Sequence, residues 1–130
     1  MNTSLIALSG LQANATRLGV SASNVANANT AGATAKAGRG QPAYRPLSVD
    51  QTSVPGHGVA ATVTPSNAPP AQVYAPDSQL ADVDGMIEMP DVDPVEEAMA
   101  QIKAVTAYRA SLSVMRTSDE MDRTLLDSRF

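Results

Sequence analysis

The 130-residue sequence contains no cysteine and no tryptophan, and its aromatic side chains are three tyrosines and one phenylalanine. The absence of cysteine excludes a disulfide framework and a thiolate metal site. Large side chains bury most of the apolar area that stabilises a fold, at about 25 cal/mol per Å². Hydrophobic residues make up 43% of the chain, but alanine supplies much of that share. We therefore expect a thin core and a stability that comes mainly from association.

The sequence also lacks long apolar runs. None approaches the roughly 18 residues of a transmembrane helix, so we expect no membrane insertion. The N-terminus has no basic n-region, unbroken apolar h-region or small-residue cleavage site of a secretory signal peptide. If the protein leaves the cytoplasm, we expect a route that removes no signal peptide.

The net charge of −4 is unevenly distributed. Residues 1–60 hold four basic side chains against Asp50, whereas residues 61–130 hold five basic and twelve acidic side chains. This asymmetry suits subunits that meet head to tail, although a solvated acidic half explains it equally well. No basic patch is interleaved with aromatic residues, so we expect no nucleic-acid partner.

The clearest periodicity lies in residues 4–29. Six apolar residues, which we name the N-terminal stripe, recur at intervals of three and four and so share one face of a helix: Leu8, Leu11, Ala15, Leu18, Ala22 and Val25. This spacing is typical of a coiled coil. Arg17 is the only charged residue before Lys36, and a nearly uncharged helix indicates that other protein surrounds it.

The middle of the chain predicts loops and short strands. The small, glycine-rich residues 31–40 predict a flexible loop with nothing to bury. Apolar or β-branched runs at 47–49, 58–64, 72–74 and 86–89 predict three or four strands. Five of the nine prolines fall between residues 55 and 76. Because proline within a sheet is largely confined to edge strands, any sheet is expected to be small and to consist mostly of edge strands.

A second long helix is predicted from Pro94 to about residue 127. Asp93 is placed as its N-cap, Pro94 fits the first helical position, and Glu96 completes an Asp-x-x-Glu capping box. No proline or glycine follows. Its main apolar face, the C-terminal stripe, consists of Met99, Ile102, Val105, Leu112 and Met115. We expect the two stripes to bury each other.

Residues that could carry chemistry are few. Asp82, Asp84 and Gly85 superficially suggest a calcium loop, but the alignment puts Leu80 at the first ligand position and Pro90 inside the loop. His57, the single histidine, lies in a glycine-rich turn without a neighbouring nucleophile or orienting group. A small hydrolase that uses His57 and the acidic cluster is therefore the weakest of the functional hypotheses, and we predict no enzyme, metal or cofactor.

The asparagine-rich end of the first helix has two interpretations. Asn24, Asn27 and Asn29 weaken a helix because their amides compete for backbone hydrogen bonds, which predicts fraying and capping. Alternatively, the amides bond to neighbouring subunits in a crowded assembly, since each amide both donates and accepts.

The same residues carry a resemblance to a known family. Residues 23–30, SNVANANT, resemble the N-x-A-N-x-x-T part of a signature of bacterial flagellar rod and hook proteins, so that Asn24, Ala26, Asn27 and Thr30 would be motif positions. Residues 73–77, 81–97 and 107–110 are similar to the V-Y-x-P, D-x-x-G-x-V-x-M-P-N-V-x-x-V-E-E and S-R-A-Y-E-A-N segments of a proximal-rod member. The sequence departs from these segments at Asp91 and Arg109, where asparagine and glutamate are usual.

The predicted fold is α+β and mainly α, with long N- and C-terminal helices that pair as a coiled coil. Its parts are a helix in residues 1–30, a loop and small β-rich region in residues 31–93 and a helix in residues 94–130, together one structural unit. The resemblance implies a structural subunit that polymerises helically into the proximal rod, the periplasmic drive shaft that transmits torque to the hook and forms the export channel. Implied partners are copies of itself, other rod proteins, MS-ring and export-gate components, and surrounding ring proteins. The alternative is a helical adaptor that docks a partner helix and never polymerises.

Overall fold

The computed structural model describes residues 3–128. The chain is mainly helical, with two long helices at its ends and short antiparallel strands between them. The elements follow in the order α1 (Thr3–Asn27), a short 3-10 helix (Ala35–Ala37), β1 (Leu47–Val54), β2 (Gly58–Pro65), β3 (Ala71–Tyr74), β4 (Met86–Met89) and α2 (Pro94–Asp127). This order confirms the predicted fold class.

The helix α1 runs for 25 residues because no proline occurs before residue 42. It ends at Asn27, two residues before the end of the periodic stretch 4–29. The backbone N–H of Thr30 donates to the Asn27 carbonyl at 2.9 Å, and this turn directs the chain away from the helix axis.

The helix α2 begins at the aspartate that the sequence places as its cap. Asp93 has an extended backbone, and its Oδ1 accepts hydrogen bonds from the backbone N–H of Val95 at 2.7 Å and of Glu96 at 3.4 Å. Pro94 occupies the first turn, where a missing N–H leaves no helical hydrogen bond unmade. Within residues 3–128 the Glu96 carboxylate makes no return bond to the Asp93 N–H, so only the Asp93 half of the capping box forms.

The two helices pack against each other in antiparallel directions. The Ser4 hydroxyl donates to Ser118 Oγ at 3.2 Å near one end, and the Ser21 hydroxyl donates to the Glu97 carbonyl at 3.1 Å near the other. The buried and half-buried residues of α2 include Glu97, Gln101, Ala104, Ser111, Met115 and Ser118, which follow the four-and-three spacing of a helix seam. Most of them are small or polar, so the two backbones can approach closely.

The expectation that the two stripes bury each other is wrong within the chain. Leu11 alone of the N-terminal stripe is buried, and Leu8 and Val25 are 41% and 45% exposed. In the C-terminal stripe Met99 and Ile102 are exposed, whereas Val105, Leu112 and Met115 are half-buried. The buried side chains of α1 lie mostly beside the stripe: Ala7, Leu11, Ala13, Asn14, Ser21 and Asn24.

Shape and hydrogen bonding explain why the smaller residues form the contact. A Cβ on Gly10 would lie 2.9 Å from Ser111 Oγ, so this glycine lets the helices approach closely here. Ser21 and Asn24 make hydrogen bonds across the pair that a leucine could not make. The periodic spacing in the sequence identifies the larger apolar side chains. It therefore predicts a contact through the neighbouring face, which carries them.

The strands β1 and β2 form an antiparallel hairpin in which Leu47 pairs with Pro65 and Val54 with Gly58. The hairpin lies along α1: Asn24 Nδ2 donates to the Leu47 carbonyl in the C-terminal part of the helix, and the Val59 N–H donates to Ser9 Oγ at 3.1 Å in its N-terminal part. Gly58 has φ = 89°, and a Cβ there would overlap the Ser9 side chain. Glycine is therefore needed both for the turn and for the close approach to α1.

The strands β3 and β4 form a second antiparallel pair, and β4 also pairs with the segment that follows α1. Gly32 and Glu88 exchange backbone hydrogen bonds of 2.8 and 2.9 Å. The prediction of a loop with nothing to bury is wrong for its first residues, because Gly32, Ala33 and Thr34 are buried. Backbone pairing, which side-chain composition does not report, orders them.

The core is thin, as the composition predicts. Among residues 3–128 no large side chain is fully buried. The buried apolar residues are mostly alanines: Ala7, Leu11, Ala13, Ala33, Ala43, Ile87 and Ala104. Many large apolar side chains on both helices face outward instead, which leaves substantial apolar area for contact with other protein.

Candidate functional site

Asn24 lies at the point where four parts of the chain meet. Its Nδ2 donates to the Leu47 carbonyl at 2.9 Å and to Glu97 Oε1 at 2.7 Å. Its Oδ1 accepts from the Tyr44 hydroxyl at 3.0 Å and from the Leu47 N–H at 2.8 Å. An amide has two N–H donors and an oxygen with two lone pairs, so the capacity of Asn24 is fully used. We name these four residues the Asn24 junction.

The Asn24 junction joins the C-terminal part of α1, the start of β1 and the first turn of α2. Asn24 is only 3% exposed, so its hydrogen bonds form away from water. The interpretation that this amide bonds to a neighbouring subunit is therefore wrong for Asn24, because its own chain supplies every partner. A capping role does not describe it either, since α1 continues to Asn27.

The other motif residues have local roles or are exposed. Asn27 Nδ2 donates to the Ser23 carbonyl at 2.9 Å, and the Thr30 hydroxyl donates to Asn27 Oδ1 at 3.3 Å. These bonds form the last turn of α1 and its exit. Ala26 and Asn29 are exposed.

Sequence reasoning missed Tyr44 and Glu97 as partners of Asn24. Glu97 lies in the acidic first turn of α2, and Tyr44 lies two residues before Pro46, so neither position by itself indicates a contact with α1. One available signal was that Tyr44 is among only four aromatic residues of the chain. A tyrosine hydroxyl needs a polar partner when its ring is covered, and a helix rich in asparagine offers one.

The acidic cluster before β4 forms a closed turn. Asp82 Oδ1 accepts from the backbone N–H of Asp84 at 2.9 Å and of Met86 at 3.0 Å, and its Oδ2 accepts from the Thr34 hydroxyl at 2.7 Å. The Met86 N–H and then the Thr34 hydroxyl hold the pKa of the Asp82 carboxyl below its ordinary value of 3.8. The carboxylate thus ties the β4 turn to the segment that follows α1.

Nothing in the described part of the chain arranges these acids as a metal centre, since residues 3–128 contain no group of three His, Cys, Asp or Glu side chains placed to hold an ion. Lys36 and Asp84 form an exposed ion pair at 3.1 Å, a kind of contact that contributes little to stability. His57 lies exposed in the turn between β1 and β2.

An open apolar groove of about 570 Å³ runs along one side of the helix pair. Ala15, Leu18 and Ala22 of the N-terminal stripe line its α1 wall. Val105 and Leu112 of the C-terminal stripe line its α2 wall, together with Tyr108 and Arg109. The two stripes therefore border a shared groove, which we name the stripe groove, instead of burying each other. None of the described helices is both long and apolar enough to span a membrane.

These features define a class of protein. The polar groups of the junction are satisfied within the chain, the contact between the helices is made by small residues, and the larger apolar side chains lie on accessible helix faces. An extended apolar surface on a chain with a thin core is typical of a structural subunit of a larger assembly.

Comparison with known proteins identifies the assembly. Residues 5–34 match the family model described as flagella basal body rod protein, and residues 83–128 match the one described as flagellar basal body rod FlgEFG protein C-terminal. The first match includes most of α1 with the motif residues, and the second includes β4 and α2. Each family model thus describes one of the two paired terminal helices.

Curated relatives match over nearly the whole chain. The flagellar basal-body rod proteins FlgC of Salmonella typhimurium and of Escherichia coli O157:H7 are each 38% identical over 122 residues, which cover 89% of this chain and 87% of theirs. FlgC of Yersinia enterocolitica is 37% identical over the same shares. The chain belongs to the flagellar basal-body rod protein family, and it is a structural subunit of that rod.

Proposed function

We propose that this chain polymerises helically in the proximal rod and forms part of the drive shaft that transmits torque from the motor to the hook. The observation that carries the proposal is the pair of terminal helices, of which each family model describes one and whose large apolar side chains lie outward. Leu18 and Val25 of α1 and Met99 and Ile102 of α2 are exposed in the single chain. Burying them between subunits would add the stability that the thin core lacks.

Resistance to torsion also follows from this arrangement. Helices that contact neighbours on several faces interlock, so a twist applied to one subunit passes to the next through packed side chains. The Asn24 junction would keep α1, β1 and α2 of each subunit moving together. The chain would act as a non-enzymatic element of the shaft and of the channel through which later components are exported.

The proposal includes location and neighbours. The chain would reach the periplasm without signal cleavage, through the flagellar export apparatus. It would contact copies of itself and other rod proteins, with MS-ring and export-gate components at the rod base and ring proteins around it. Residues 1–30 and 94–130 would form the packed rod core, and residues 31–93 would lie between them as part of one unit.

The test is a substitution in the stripe groove. Leu18→Asp places a charge on an exposed apolar position, so the single chain should be made in normal amounts while rod assembly is lost. Swimming and the presence of the chain in isolated basal bodies would be measured in cells in which the variant replaces the native copy. Leu18→Met, which keeps an apolar side chain of similar volume, is the matched control and should preserve both.

Normal motility and normal incorporation of Leu18→Asp would contradict this role for the groove. The alternative of a helical adaptor predicts a different result, in which the native chain is absent from basal bodies and purifies with a soluble partner. Immunoblotting of purified basal bodies distinguishes the two.

A further inference from the structure

The C-terminal end of α2 extends beyond its partner helix. Ser118 contacts Ser4, close to the first described residue of α1, and α2 continues to Asp127. Every residue from 119 to 127 is exposed, and no described residue covers this segment, which we name the α2 overhang. Met121 and Leu125 are 55% and 65% exposed on it, so the overhang is an apolar helix face without a partner in the described chain.

The stripe groove matches the overhang in length. The overhang contains nine residues and is about 14 Å long at 1.5 Å per residue. The α1 wall of the groove runs from Asn14 to Ala22, also nine positions. A helix of the overhang's length would therefore fill the groove from end to end.

Charge favours the same match. The overhang contains Asp119, Glu120, Asp122 and Asp127 against a single Arg123, so it is acidic. Among the described residues, those that line the groove include no carboxylate, and Arg109 is the one charged residue of that lining. The single ion pair within residues 3–128 joins Lys36 and Asp84. Arg109 of one copy and the overhang acids of another can therefore form an ion pair with each other. Complementary charge guides and orients such a contact.

We propose that the α2 overhang of one copy docks in the stripe groove of the next copy. An overhang cannot reach its own groove, because Leu125 lies seventeen residues beyond Tyr108 on the same helix, or about 26 Å away. The contact joins two different surfaces, so each added copy leaves one groove and one overhang free. Such head-to-tail interfaces build open helical filaments when the rotation between copies does not close into a ring. This inference rests on the proposed polymerisation and specifies the surfaces that meet.

Disulfide trapping tests the contact, because the chain has no native cysteine. Cells would express two variants together, Ala15→Cys in the groove wall and Leu125→Cys in the overhang, and basal bodies would be isolated and mildly oxidised. A disulfide needs Cα atoms about 4.4–6.8 Å apart, so a link between the two requires the overhang to lie in the groove of another copy. Ala110→Cys is the matched control for Ala15→Cys, since Ala110 is also exposed and lies outside the groove.

The expected result is a product at twice the 13.4 kDa chain mass from Ala15→Cys with Leu125→Cys, and its loss when Ala110→Cys replaces Ala15→Cys. Mass spectrometry would identify the joined peptides. Links only between two Leu125→Cys chains or two Ala15→Cys chains would overturn the proposal, since they indicate a two-fold contact. Equal linking in the control would also overturn it.

Two further measurements keep the outcomes separate. Immunoblotting first establishes that each variant is in the basal body, and Glu120→Cys replaces Leu125→Cys if the latter is excluded. Incorporated variants that form no link would overturn the docking proposal while the rod function stands. A native chain that is absent from basal bodies would overturn the proposed function itself.

Discussion

Asn24 on α1 donates a 2.7 Å hydrogen bond to the carboxylate of Glu97 in the first turn of α2. The two residues lie 73 positions apart in sequence, and the bond fixes the C-terminal part of one helix against the N-terminal part of the other. The same amide holds both backbone groups of Leu47, so the helix pair and the hairpin share one anchor. This arrangement accounts for an asparagine inside a helix, where its propensity is poor.

Replacing this anchor should destabilise the single chain. Asn24→Ala removes the partners of Leu47, Tyr44 and Glu97 in a buried site, and unpaired buried polar groups cost about 1–3 kcal/mol. We expect a loss of that size in the free energy of unfolding, measured by urea denaturation with far-UV circular dichroism. Asn29→Ala changes an exposed asparagine and should leave the free energy nearly unchanged. Equal stability of the two variants would contradict the anchoring role.

Two glycines should respond in opposite directions to alanine. A Cβ on Gly32 would overlap the backbone of Ala43, so Gly32→Ala should displace that backbone, break the pairing with Glu88 and lower the melting temperature. Gly19 lies within α1 with no atom within 4 Å of an added Cβ. Gly19→Ala should therefore stabilise the chain by about 0.5–1 kcal/mol through backbone entropy. Thermal unfolding of both variants checks the sign, and a stable Gly32→Ala would contradict the close approach.

The cap of α2 should contribute measurably. Asp93→Ala removes the acceptor of the Val95 and Glu96 N–H groups, which should cost about 0.5–2 kcal/mol. Asp93→Asn keeps an oxygen acceptor and should lose much less. Urea unfolding of the three chains provides the comparison. Similar losses in both variants would show that Asp93 stabilises the helix through the interaction of its charge with the helix dipole, and not through its hydrogen bonds.

Asp82 should make stability depend on pH in the acid range. Its folded pKa is depressed below 3.8, so its contribution is present above about pH 3.8 and is lost as pH falls through the folded pKa. Asp82→Asn removes that titration, so the difference in unfolding free energy between native and variant chains should shrink as pH falls from 7 toward 2. Asp50→Asn, at an exposed position of β1, controls for the loss of one charge. A difference that is independent of pH would contradict the assignment.

Local patterns predicted much of this protein. The absence of proline and glycine after Pro94, the Asp93 cap and the three-and-four spacing before residue 30 predicted both helices, because helix formation depends on neighbours within a turn or two. Each of the four strands includes one of the predicted runs, and it either matches that run or extends beyond it. The scarcity of large side chains predicted the thin core, because buried area scales with side-chain size.

Only the tertiary structure decided which helix faces meet. Leu8 and Val25 fit a coiled-coil seam in the sequence, but the contact follows Ala7, Ser21 and Asn24 on the neighbouring face. Periodicity identifies the helix face that carries large apolar side chains. It does not show that a face with smaller side chains will form the contact instead, because that face allows closer approach and hydrogen bonds across the pair. The partners of Asn24, the pairing of Gly32 with Glu88 and the stripe groove likewise depend on segments that are distant in sequence and close only in space, where no local pattern specifies them.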